Sequence, residues 1–425
     1  MTMQRRPTLL LLLALAGASA AAPLASEMLL KPADHEKLGE VVGDYWKALK
    51  ESEGTNEAFE AVNDAYEKVQ KRVAKDLPDG NLLAAVEDWE QILYFAYTAT
   101  EVDEKGAKKG KTERVYKDKD FGDYAIAVST PAKYSAKTGP YPLLICVPPK
   151  GKSGKEHLAT DWVDPALLEG AILASPDMPT NELNWGEVGD TAGHGGIDTV
   201  LLCLRSIKQT HAVDVNRVFL AGFEEGVAPA ARIAAIYPHV FAGVIGRTGD
   251  VGDLSPVNFR NLPTFFAGSG EKTTTFQTRA KEEGIENVTL NAAGTEADIW
   301  AWMQKTVRVA NPTDVSLVPQ HTSNERAYWL WVRGVSPNGS KIRARIDRAA
   351  NTIKIESEGI TTATVFFNDT LVDLSKPVKV DCNGTVSEDF IPRTLKVMLD
   401  NGLKSGDTGR VYVSSHSYDI PVVTK

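Results

Sequence analysis

Cysteine is scarce in this chain of 425 residues, which holds only Cys146, Cys203 and Cys382. An odd, low count excludes a fold held together by a disulfide framework. No paired Cys/His spacing exists for a zinc site, so no metal is expected. Cys146 and Cys203 lie in apolar runs and read as small buried hydrophobes. Positive charge is also in deficit. The formal net charge of −9 disfavours nucleic acid or an anionic membrane as partner. Beyond the first residues no apolar run is long enough to cross a bilayer. Internal repeats and low-complexity segments are missing too. What is there is the composition of a globular protein, 43% hydrophobic and 24% charged, with a length that suggests about two to three domains.

The N-terminus reads as a targeting segment. Arg5 and Arg6 precede a short apolar core at residues 9–16. Small residues follow at Ala18-Ser19-Ala20, with Ala20-Ala21-Ala22 as a second cleavage point. Residues 1–22 therefore match a secretory signal peptide better than a retained anchor. The expectation is an exported chain, periplasmic or secreted, with no membrane span after cleavage. Its ligand or protein partner, placed in the cell envelope, is not identified by the sequence.

Residues 28–110 form an N-terminal helical region and linker. Leu38, Val41, Val42, Tyr45, Trp46 and Leu49 recur at helical spacing. A second helix is expected from Thr55, a plausible N-cap, with Phe59, Val62, Tyr66, Val69 and Val73 on one face. Asp79-Gly80 marks a turn, and Leu83, Val86, Trp89 and Leu93 mark a third helix. Residues 111–310 alternate strand and helix, which implies a mostly parallel sheet with helices on both faces. Residues 322–425 form a C-terminal β-rich domain, in which short alternating strands are split by turns such as Pro337-Asn338-Gly339. The fold class is α/β with a helical N-terminal and a β-rich C-terminal addition.

The chemistry-bearing stretch is Arg217-Val218-Phe219-Leu220-Ala221-Gly222-Phe223-Glu224-Glu225-Gly226. A strand ending in G-x-X-x-G before an alanine-rich helix is a nucleophile elbow. Gly222 and Gly226 let strand and helix approach closely, and the helix aims its positive end at the turn. With Asp214-Val215-Asn216 ahead of it, and Tyr237-Pro238-His239-Val240-Phe241-Ala242-Gly243 behind, this region resembles the α/β hydrolases. The likeness is to the exported carboxylesterase, dienelactone-hydrolase and prolyl-oligopeptidase type, and a bacterial source rests on that resemblance alone.

The resemblance implies a nucleophile at the elbow, a histidine base, an acid and an oxyanion hole. The elbow position holds Glu224, whose carboxylate cannot attack as a serine alkoxide does. The histidine is expected after the last strand, where the chain reads Thr295-Glu296-Ala297-Asp298. The acid is expected in Gly268-Ser269-Gly270-Glu271-Lys272, with Glu271 as candidate and Asp250 as a second. The oxyanion loop reads Pro148-Pro149-Lys150-Gly151-Lys152, and prolines have no N–H to donate.

These departures point to a degenerate triad and a catalytically inactive relative, since triad residues act as a unit. No cofactor is expected. His194, in the loop Gly193-His194-Gly195-Gly196, is the histidine placed to approach the site, although a loop histidine is usually a surface residue. His321 could fold back from the linker, and His239 reads as structural. Glu224 and Glu225 with Asp250 or Glu271 could form an acidic cluster. The plainer expectation is that Glu224 is hydrogen-bonded to backbone donors at the helix start. Trp185 and residues 179–189 could wall the pocket, while Trp300 and Trp302 read as core. Three classes stay open: a pseudoenzyme binding or scaffold module, an esterase or peptidase with a relocated or carboxylate-nucleophile constellation, and an envelope-associated structural protein. A histidine within reach of Glu224 or Ser269 would revive catalysis.

Overall fold

The computed structural model describes residues 28–52, 56–76, 82–118, 122–177, 196–319, 325–336 and 339–422. The signal segment, the Thr55 cap, the Asp79-Gly80 turn, Trp185, residues 179–189, His194, His321 and the Pro337-Asn338 turn lie outside them. None of the described helices is long and apolar enough to cross a membrane.

Three helices open the chain: α1 (Pro32–Glu51), α2 (Asn56–Asp76) and α3 (Val86–Glu101). The apolar stripe read from the sequence of α1 faces inward, with Leu38, Val42, Tyr45 and Trp46 buried. Its partners come from the far end of the chain. Trp46 Nε1 donates to Leu399 O at 3.1 Å across 353 residues, and the Tyr45 hydroxyl donates to Asp400 Oδ1 at 3.1 Å. One apolar core joins these helices to the C-terminal strands. His35 Nε2 meets Asp88 at 2.7 Å, and the same carboxylate accepts the backbone N–H groups of Leu29 and Leu30. That tie seats the entry of α1 against α3.

The central region contains β1 (Gly110–Asp118), β2 (Gly122–Thr130), β3 (Tyr141–Val147), α4 (Gly154–Thr160), α5 (Pro165–Gly170), β4 (Ile172–Pro176), α6 (Gly196–Lys208), β5 (Val213–Phe223), α7 (Val227–Ile236), β6 (Gly243–Arg247), β7 (Thr264–Ala267), α8 (Glu271–Glu282), β8 (Val288–Asn291) and α9 (Glu296–Lys305). The sheet order is β1-β2-β4-β3-β5-β6-β7-β8. β1 and β2 pair antiparallel and β2 joins β4 antiparallel, while β4, β3, β5, β6, β7 and β8 run parallel. Strand β3 shows why the sheet needs two covers: Leu143, Leu144, Ile145, Cys146 and Val147 are all fully buried. Alternate residues serve opposite faces. Leu143, Ile145 and Val147 pack toward a core shared with α6, α7 and α8. Leu144 and Cys146 pack toward α5 and α9, where Trp300 and Trp302 also lie. All three cysteines are free and buried.

The remainder comprises β9 (Asp314–Leu317), β10 (Arg326–Ala327), β11 (Leu330–Val335), β12 (Lys341–Asp347), β13 (Thr352–Glu358), β14 (Ile360–Phe367), β15 (Val378–Cys382), β16 (Thr385–Asp389), α10 (Leu395–Ser405) and β17 (Ser414–Asp419). Two sheets form, ordered β10-β11-β14-β17 and β16-β15-β13-β12-β9. The short β9 lies between the regions 111–310 and 322–425 that the sequence delimits, and it pairs with β12.

A buried ion network locks the central region to this sandwich. Arg308, just past α9, donates both terminal nitrogens to Asp407 at 2.6 and 2.8 Å. It also bonds Asn216 Oδ1 at 2.8 Å and His239 O at 3.0 Å. Arg410 Nε reaches the same carboxylate at 2.6 Å. Two guanidinium groups beside it overcome burial and hold the Asp407 carboxyl well below the usual range. His239 itself is buried between the rings of Tyr237 and Tyr328, as its structural reading implies.

Candidate functional site

Strand β5 carries the elbow. Its last residues run between β3 and β6, so that Gly222 pairs with Val147 on one side and Gly246 on the other. The chain then breaks. Phe223 is extended, Glu224 has φ +48°, and a single tight turn leads into α7. A Cβ on Gly222 would sit 2.2 Å from Gly226 O, and one on Gly226 would sit 2.6 Å from Val147 O. Only glycine fits there, because the helix start is pressed onto the strand it leaves. Glu224 takes a left-handed backbone conformation that costs an L-residue about 1–2 kcal/mol. This is the strand, bend and helix expected of residues 217–237. A second left-handed non-glycine residue, Thr248 at φ +55°, follows β6 beside the bend, and such strain clusters at functional sites.

The side chain at the bend is exposed. Among the described residues no hydrogen bond reaches the Glu224 carboxylate. The expectation that backbone donors at the helix start would hold it is therefore not met. The chain turns through the bend too sharply for Glu224 to cap α7, whose N-cap is Gly226.

Beneath the bend lies an imidazole that the sequence did not single out. His157, on α4, is fully buried with its ring 5.8 Å from that of Phe223. Its Nδ1 lies 2.7 Å from Asp161 Oδ2. Its Nε2 accepts the Trp162 indole N–H at 2.9 Å. The indole can only donate, so Nε2 is unprotonated and Nδ1–H donates to Asp161. Both ring nitrogens are thus committed, and burial pushes the pKa of the ring down. The only signal in the sequence is the i, i+4 spacing of His157 and Asp161 behind the capping box Ser153–Glu156. Nothing in that pattern shows that α4 would lie under the elbow.

The position expected of the triad histidine is filled by an acid with a different task. Glu296 opens α9 and is 9% exposed. One oxygen accepts the backbone N–H groups of Val163 and Asp164 at 2.7 and 2.8 Å. The other pairs with Arg247 Nη1 at 3.0 Å. Arg247 ends β6, stacks over the rings of Phe223 and Trp162 at 5.2 and 5.5 Å, and donates to Asp161 O. From the oxyanion-loop segment, Lys152 Nζ reaches Asp161 Oδ2 at 2.6 Å and Thr160 Oγ1 at 3.0 Å. Partial burial would raise the pKa of Asp161, but hydrogen bonds from Lys152, His157 and Thr160 hold its carboxyl below the usual range. The top of the sheet is thus laced by salt bridges and indole–imidazole bonding, and among the described residues it presents no free base to the elbow.

The other candidates are dispersed. Asp250 Oδ1 accepts the Thr273 N–H at 2.9 Å and its hydroxyl at 2.8 Å, so it satisfies the start of α8 rather than orienting a base. Glu271 is exposed at the first turn of α8, beside Lys272. Ser269 is half-buried in the preceding loop, with no hydrogen bond to its hydroxyl among the described residues. Pro148 and Pro149 are buried at the end of β3. No group of three or more His, Cys, Asp or Glu side chains suited to a metal occurs among the described residues.

Strand order, elbow and flanking helices give the central region the arrangement of an α/β-hydrolase-like fold. Residues 180–256, which include the whole elbow, match the family described as Esterase PHB depolymerase. A 61-residue stretch is 38% identical to poly(3-hydroxyalkanoate) depolymerase C of Paucimonas lemoignei, covering 14% of this chain and 15% of that protein's length. Among solved structures, a thermostable esterase aligns at 17% identity over 47% of this chain and 63% of its own, with TM-score 0.38. S-formylglutathione hydrolase from Staphylococcus aureus aligns at 12% identity over 47% and 96%, with TM-score 0.35. The ferulic acid esterase of Anaeromyces mucronatus aligns at 13% identity over 48% and 94%, with TM-score 0.37.

Proposed function

We propose that this chain is an exported α/β-hydrolase relative that has lost ester and peptide hydrolysis and serves as a binding or scaffold module. One observation carries the reading: the elbow presents an exposed carboxylate, and the imidazole of His157 beside Phe223 has both nitrogens occupied below the surface. A carboxylate brings no proton for a base to remove, and a covalent ester formed on it would still need an imidazole to activate water. Glu296 at the base position is spent on Arg247 and two backbone donors. Export is supported by Arg5, Arg6 and the apolar and alanine-rich residues that follow, and the expected partner is a ligand or protein of the cell envelope.

The test is hydrolysis of p-nitrophenyl butyrate and of a chromogenic peptide by the purified protein, alongside Glu224→Gln, Glu224→Ser and His194→Ala. All four proteins are expected to stay at the buffer rate. Turnover by the unaltered protein that Glu224→Gln or His194→Ala abolishes would overturn the proposal. Mass spectrometry of the exported protein is expected to show a start at residue 21 or 23.

A further inference from the structure

A cavity of about 570 Å³ opens on the C-terminal sandwich between the β10-β11-β14-β17 sheet and α10. Its size falls within the range of small-molecule sites. Its lining is unusual for an acidic protein: Arg326, Arg333, Lys404 and Arg410 contribute, and no Asp or Glu does. Arg326, Arg333 and Lys404 have no ion-pair partner among the described residues. Asp407 lies behind the wall and is shared by Arg410 and Arg308, so a single negative charge answers several positive ones.

Two of the cationic groups, Arg326 and Arg333, are held in place by aromatic rings rather than by acids. Arg326 lies 4.3 Å from the Phe366 ring centroid and 5.9 Å from that of Tyr412, and Arg333 lies 4.1 Å from that of Trp331. Such stacking fixes a guanidinium while leaving its in-plane N–H donors free. The decisive feature is buried polarity. Arg410 is 8% exposed and Tyr412 1% exposed. The Arg410 Nη1 and the Tyr412 hydroxyl have no hydrogen-bond partner among the described residues, although both residues line the cavity. A buried donor left unmade is costly, and native structures meet most such groups with a protein partner, ordered water or a bound ion. Burial, and next to it the neighbouring Arg410, push the Arg326 guanidinium down to about 10.

We propose that this cavity is an oxyanion-binding site, taking a ligand whose carboxylate or phosphate is met by Arg326 and Arg410, with Trp331 and the rim hydroxyls of Thr364 and Ser417 alongside. It lies in the β-rich sandwich rather than at the elbow, so it stands whether or not the hydrolase reading holds.

Isothermal titration of the full-length protein at low ionic strength, with benzoate and with inorganic phosphate, tests it. At least one is expected to bind saturably and to weaken as salt rises. The preferred probe tells a carboxylate ligand from a phosphate ligand. Arg326→Gln with Arg333→Gln is expected to weaken that binding roughly tenfold or more. Lys404→Glu, at an exposed position that leaves the fold intact, is expected to weaken it as well. Absence of saturable binding by both probes, or binding unchanged in the double variant and in Lys404→Glu, would overturn the proposal.

Discussion

Arg247 and Glu296 face each other at 3.0 Å across the top of the sheet, one ending β6 and the other opening α9. In an active relative of this fold a catalytic histidine is expected near the second of these positions. Here the pair braces the loop at residues 161–164 against the sheet, because Glu296 also holds two of that loop's backbone N–H groups. Replacing Glu296 with alanine strips three donors of their acceptor at once, leaving Arg247 stacked and unpaired. The expected loss is about 3 kcal/mol, read from urea unfolding. A change within about 0.5 kcal/mol, the range of ordinary surface substitutions, would show that the brace is not structural.

The elbow predicts opposite signs for two neighbouring substitutions. Glu224→Gly removes the left-handed penalty at φ +48° and is expected to stabilise by about 1 kcal/mol, after the entropy glycine adds to the unfolded chain. Gly222→Ala must place a Cβ 2.2 Å from Gly226 O, between two backbone segments that cannot both move. It is expected to cost about 3 kcal/mol or more. Thermal midpoints of the two variants decide the matter. Equal and small shifts would mean the bend is looser than its geometry implies.

Three buried histidines set the acid side of the stability profile. Burial lowers the pKa of His157 and pushes His239 well down, while His211 is pushed down to about 4. His211 lies between the hydroxyls of Thr130 and Thr210, at 3.1 and 2.8 Å. All three are neutral in the folded chain at pH values where the unfolded chain, titrating near about 6.5, takes up protons. Their contribution is therefore complete above that value and is lost as pH falls toward the folded values. Each such ring removes about 1.4 kcal/mol per pH unit in that window. Thermal midpoints measured from pH 7 down to 4 are expected to fall, and the fall is expected to be shallower in His211→Gln. An unchanged slope in that variant would show that His211 is protonated in the folded state.

How much of this was legible beforehand varies by element. The stripe on α1 is legible residue by residue, because a helix facing one core must repeat its apolar side chains at 3.6-residue spacing. The strand, bend and helix around Glu224 were read as well, because the sequence needs glycine at both Gly222 and Gly226. The β-strand at residues 314–317 is not legible in the sequence, since four residues carry too little period to declare themselves. Nothing in the sequence marks His157, since its importance lies in what packs over it.

The sequence by itself determined the local elements, the sheet class of the central region, and the presence of Glu224 at its tightest turn, because each is fixed by spacing and residue type within a few positions. Only the tertiary structure decided that α1 shares its core with α10, that Glu296 braces a loop, that Trp162 occupies the His157 ring, and that arginines from separate strands line one cavity. Those relationships join residues far apart in the chain. Local pattern encodes which face of an element is buried, and not which distant element will bury it.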